Sequence, residues 1–83
     1  MKVLHSILLG KYDSSGRLVG TMYRNDILTV GWKSEDTKDD VATRLGEVLT
    51  SSLNDTVRMF SELHPGFTFH PLSQSLLHII RAS

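Results

Sequence analysis

The chain has 83 residues, room for one small α+β domain that buries only about 60% of its unfolded surface, so a partner or second copy can add materially to stability. It has no cysteine, which rules out a disulfide framework or a thiolate metal site and points to a reducing, cytoplasmic setting. Nine Lys+Arg balance nine Asp+Glu, so net charge argues against a role centred on nucleic acid.

Charge is nonetheless unevenly placed. Residues 1–33 carry Lys2, Lys11, Arg17, Arg24 and Lys33 against Asp13 and Asp26, whereas acids outnumber bases in residues 34–83. Such separation can orient a partner or hold the two halves of one fold together. No stretch reaches the roughly 20 apolar residues of a membrane span, so a soluble protein is expected. The N-terminal run begins like a signal peptide, but His5 and Ser6 interrupt it and it reads as a strand.

In chain order, residues 3–12 predict the first strand, and Asp13-Ser14-Ser15-Gly16 is a turn in which the glycine supplies positive φ. Residues 17–24 predict a second strand and residues 27–33 a third. Asn25-Asp26 between them is read as a two-residue hairpin turn, because Asn and Asp tolerate left-handed backbone. The expected product is a three-stranded antiparallel meander, with Tyr12 paired to Arg17.

In that register, one face collects Leu4, Leu8, Tyr12, Val19, Tyr23, Leu28, Val30 and Trp32, and it is assigned to a helix. The other collects Val3, His5, Ile7, Leu9, Lys11, Leu18, Met22, Arg24, Ile27 and Thr29. A second face this apolar implies a further layer, from the C-terminus or from another molecule, hence an expected homodimer.

Residues 37–63 predict one long amphipathic helix packed on the sheet. Val41, Leu45, Val48, Leu49, Leu53, Val57, Phe60 and Leu63 form its apolar stripe, with Leu49 and Leu53 expected to be buried. Thr37 caps its start and His64-Pro65-Gly66 ends it. Gly46 is costly inside a helix, so a close neighbour over it is expected.

Residues 67–70 predict a short strand. Residues 72–81 can be read as a C-terminal helix, with Leu72, Leu76, Ile79 and Ile80 on one side, or as a strand paired back to 67–70.

Chemistry leaves little trace. His5, His64, His70 and His78 have none of the close spacings that put two imidazoles on one metal, and no serine lies in a G-x-S-x-G context. The glycines make no phosphate-binding loop. No catalytic residue, metal or cofactor is assigned.

The resulting expectation is a small non-enzymatic protein-binding domain that regulates or inhibits a larger protein, of the kind a phage accessory protein exemplifies. Its candidate partner-binding residues are Lys11, Met22, Arg24, Ile27, Thr29 and Lys33, an apolar centre with a basic rim that suits an acidic partner.

The alternative is nucleic-acid binding through the basic three-stranded sheet. Three strands before a helix is the order of double-stranded-RNA binding domains, whose helix opens with lysines where this one opens Glu35-Asp36-Thr37-Lys38-Asp39-Asp40. The passage from Leu28 to Asp36 is similar to the last strand and helix start of plant AP2-type and integrase arm-binding domains, which read DNA with a three-stranded sheet, but with few arginines on the sheet.

Overall fold

The computed structural model of the protein describes residues 1–72 and the backbone of 76–80. Strand β1 (Lys2–Tyr12) is followed by β2 (Leu18–Thr29), helix α1 (Lys38–Leu63), β3 (Thr68–Pro71) and β4 (Leu76–Ile80). The sheet is antiparallel with β1 at its centre. β2 lies along one side, while β3 and β4 share the other, beside residues 9–12 and 2–6 of β1 respectively. An α+β fold of antiparallel sheet and one long helix is therefore present.

β1 is central because its apolar run has no polar side to offer water. Val3, His5, Ile7 and Leu9 are buried on one face, and Ser6 and Gly10 on the other. The Asp13 carboxylate builds the turn after it, accepting from the Ser15 amide at 2.9 Å, the Ser15 hydroxyl at 2.7 Å and the Arg17 amide at 3.0 Å, while Gly16 takes φ of 84°. The ladder then begins at Tyr12 and Leu18, rather than at Tyr12 and Arg17, with an irregularity between Lys11 and Tyr12.

The expected hairpin at Asn25-Asp26 does not form. β2 runs straight through both residues, so the separate third strand over 27–33 is replaced by the end of β2 and a loop, and residues 3–33 form two strands and not the expected three-stranded meander. A two-residue hairpin turn needs positive φ, and among the described residues only Gly16 and Gly66 have it. The polar pair instead finds partners within the sheet. Asn25 accepts a hydrogen bond from the Ser6 hydroxyl at 2.7 Å, and Asp26 lies 3.8 Å from the Arg24 guanidinium.

Continuity of β2 also reverses the expected helix face. α1 covers the side bearing Val3, His5, Ile7 and Leu9, with Met22, Arg24 and Leu28 from β2, and not the side of Leu4, Leu8, Tyr12 and Tyr23. The apolar core joins Ile7, Leu9, Phe60 and Phe69, with Met22, Leu53, Val57, Met59 and Phe67 packed around it.

The helix itself begins as its sequence predicts. Thr37 accepts from the Asp40 amide at 3.1 Å, and the Asp40 carboxylate accepts from the Thr37 amide at 3.0 Å, closing a capping box. Its buried line, however, is Ser52, Thr56 and Phe60, while Leu49 and Leu53 are half-buried. The rotation has a cause in the sheet. Arg24 donates to the Thr56 hydroxyl at 2.8 Å, and the His5 ring lies 3.1 Å from the Ser52 hydroxyl. Polar groups on the covered face draw the polar residues of the helix inward, because a buried polar atom without a partner is costly. Apart from the adjoining helix backbone, no atom of the described residues lies within 4 Å of where a Gly46 Cβ would stand, so the expected close neighbour is absent among them.

Beyond α1, Gly66 at φ of 89° turns the chain back into β3. Residues 76–80 form a strand, not a helix, and this strand pairs with β1 rather than with 67–70. Residues 73–75 and 81 of the expected C-terminal element lie outside the described residues.

Candidate functional site

The six residues expected to form one binding surface are divided between two faces. Lys11 lies on the helix side, half-buried, with its ammonium 3.4 Å from His64 Nδ1 and 4.2 Å above the Phe67 ring. Met22 packs against the core. Arg24 is held by Thr56 and Asp26 and is not a free rim charge. Ile27 and Thr29 sit on the opposite, uncovered face. Lys33 lies past β2 in the loop leading to the helix, where its amide donates to Asp36 at 2.8 Å. The structure therefore leaves only Ile27 and Thr29 together on an open face, while Lys11, Met22 and Arg24 share the face that the helix covers.

What it does assemble is a helix-free sheet face. In a strand, alternate residues share a side, so β1 presents Leu4, Leu8 and Tyr12 there, and β2 presents Val19, Tyr23 and Ile27. The β2 row is open to solvent, Tyr23 and Ile27 both at 60% exposure and Val19 at 51%. β3 adds His70, whose ring centroid is 5.5 Å from that of Tyr12. Along this face the described strands carry Lys2 but no carboxylate, since Asp26 turns to the helix side. A hairpin at Asn25-Asp26 places Tyr23 and Ile27 on opposite faces, whereas one continuous strand sets the two on the same side.

A second apolar feature lies at the other end of the helix. A cavity of about 360 Å³ opens between Met1, Trp32, Val41, Ala42 and Leu45. Its walls are fixed by local bonds: the N-terminal ammonium donates to the Val30 carbonyl at 3.0 Å, and Arg44 bonds Asp36 at 2.9 Å and also reaches the Gly31 carbonyl. The hydrogen bond from Arg44, with that of the Lys33 amide, holds the Asp36 carboxyl below the usual carboxylate range.

Compared with protein-family models, curated proteins and solved structures, the chain matches none.

Chemically, the most suggestive contact is that of His5 with Ser52, near Asp26. Desolvation lowers the pKa of His5, with Asp26 acting in the opposite direction. Ser52 sits mid-helix and is buried, so the backbone amides around it serve the helix and leave no donors for an oxyanion. The pair ties β1 to α1. Among the described residues no group of three or more His, Asp or Glu is placed to hold a metal ion, and no helix is long and apolar enough to cross a membrane.

Proposed function

We propose that this chain is a non-enzymatic protein-binding module that regulates a larger protein, and that it binds through the helix-free face of its sheet. The observation that carries this reading is the exposed row of Val19, Tyr23 and Ile27, three large apolar side chains on one open face of a small domain. An aromatic anchor among aliphatic neighbours is the usual energetic centre of a protein interface. The absence of carboxylates from the described strands on this face suits a partner whose contact surface is apolar with an acidic border. Mid-helix Ser52, without free amides beside it, favours binding over acyl-transfer chemistry.

The test is affinity capture from native extract, with and without nuclease, comparing the natural chain with a Val19→Ser/Tyr23→Ser variant. Both side chains are exposed, so the fold should survive. A protein retained by the natural chain, insensitive to nuclease and lost with the variant, is the expected result. Capture that vanishes with nuclease would favour nucleic-acid binding instead, and identical capture by both chains would remove this face from the interface.

A further inference from the structure

β2 is an edge strand of 12 residues, hydrogen-bonded to β1 on one side, with no strand along its other side among the described residues. Which of its backbone groups point outward follows from the ladder. Met1 and Val30 exchange both of their hydrogen bonds, at 3.0 and 2.8 Å, so they form the hydrogen-bonded type of antiparallel pair. Alternation from Val30 turns the amides and carbonyls of Thr21, Tyr23, Asn25, Ile27 and Thr29 away from β1. Long edges of this kind are normally blunted by lysine, proline or a bulge. Between Leu18 and Thr29 there is neither lysine nor proline, the two charges present, Arg24 and Asp26, are of opposite sign and 3.8 Å apart, and the irregularity of the β1–β2 ladder falls at its Tyr12 end.

We infer that β2 pairs antiparallel with β2 of a second copy of this chain, about a two-fold axis that passes beside Asn25. The register follows from charge. With Asn25 opposite its own counterpart, Arg24 faces Asp26 of the second copy and Asp26 faces the second Arg24. The same register sets Tyr23 against Ile27 on the open face, Met22 against Leu28 on the helix face, and Thr21 against Thr29.

Neighbouring registers lose this match. Centring the axis beside Tyr23 opposes Arg24 to Met22 and Asp26 to Gly20. Centring it beside Ile27 opposes Asp26 to Leu28, and centring it beside Arg24 or Asp26 opposes like charges. The axis stands perpendicular to the sheet, so both helices lie on one side, and the Tyr23 and Ile27 side chains of the two copies meet on the other.

The pairing does not rest on the binding role proposed above. It is read on the purified chain, so its failure leaves capture by a monomer's face intact, and failed capture leaves pairing intact.

Arg24 bonds the helix, so its charge variants would disturb the fold as well as the interface. Exposed Thr21 and Thr29 report instead. Because the natural chain has no cysteine, Thr21→Cys and Thr29→Cys each introduce a single thiol. In the inferred register residues 21 and 29 of opposite copies lie about 5.5 Å apart between Cα atoms, within disulfide reach. Two copies of residue 21 lie about 27 Å apart along the strands, out of reach.

Mild oxidation of the mixed variants should therefore give a covalent dimer that neither variant forms alone, and sedimentation of the natural chain should approach twice its 9.3 kDa mass. A monomer at every concentration would overturn the inference. So would a dimer in which the mixture fails to cross-link, or in which Thr21→Cys cross-links to itself.

Discussion

His5 Nδ1 and the Ser52 hydroxyl lie 3.1 Å apart, both buried, and join the central strand to the middle of the helix across 47 residues of sequence. Burial of His5 makes folding sensitive to acid. Burial lowers the His5 pKa below the usual 6.5, so over the interval between the folded value and 6.5 the unfolded chain binds more protons than the folded one. The stability tied to neutral His5 is complete above 6.5 and is lost as pH falls from there towards the folded pKa. Asp13, lowered chiefly by the Ser15 hydroxyl bond, adds a separate loss further down, as pH falls below 3.8 through its folded value. Thermal melts from neutral pH to pH 5 should show a falling Tm, and His5→Gln should flatten that slope. An unchanged slope would remove His5 as its source.

The buried apolar cluster contains the Phe60–Phe69 contact, with ring centroids 5.9 Å apart, together with Ile7 and Leu9, and takes in only Phe60 as a fully buried member of the helix stripe. Phe60→Ala is expected to cost about 3–5 kcal/mol, enough to unfold much of a domain this small. Leu63, one turn further and 65% exposed, should change stability by no more than about 0.5 kcal/mol when truncated to Ala. Urea denaturation of the two variants separates a core centred on Phe60 from one spread evenly down the stripe.

Two glycines should respond in opposite directions to alanine. Gly46 is exposed in the helix with open space at its Cβ position, so Gly46→Ala should stabilise by up to about 1 kcal/mol. Gly10 is buried beneath Tyr12 and Leu72, and a Cβ there would stand 2.9 Å from atoms of both side chains. Those side chains must move aside, so Gly10→Ala should destabilise by about 1 kcal/mol. Paired thermal melts give the two signs.

Local features were legible without the fold. The Thr37 cap, the exit at Gly66 and the Asp13 turn each depend on residues within four of one another, so the sequence contains all of their partners. That residues 3–12 form a strand was legible as well, but a meander places that strand at an edge, and its central position came only with β3 and β4.

Tertiary structure decided what depended on distant partners. Asn25-Asp26 has the composition of a hairpin turn, but Ser6 and Arg24 give both side chains partners within a straight strand. That continuity, together with the bonds of His5 to Ser52 and Arg24 to Thr56, determined which sheet face the helix covers. It thereby left Tyr23 and Ile27, rather than Arg24 and Met22, on the open surface. Periodicity within the chain sorts residues into two faces of a strand. Which face is buried depends on pairings between residues far apart in sequence, whose hydrogen bonds and packing exist only once the strands and helix have met.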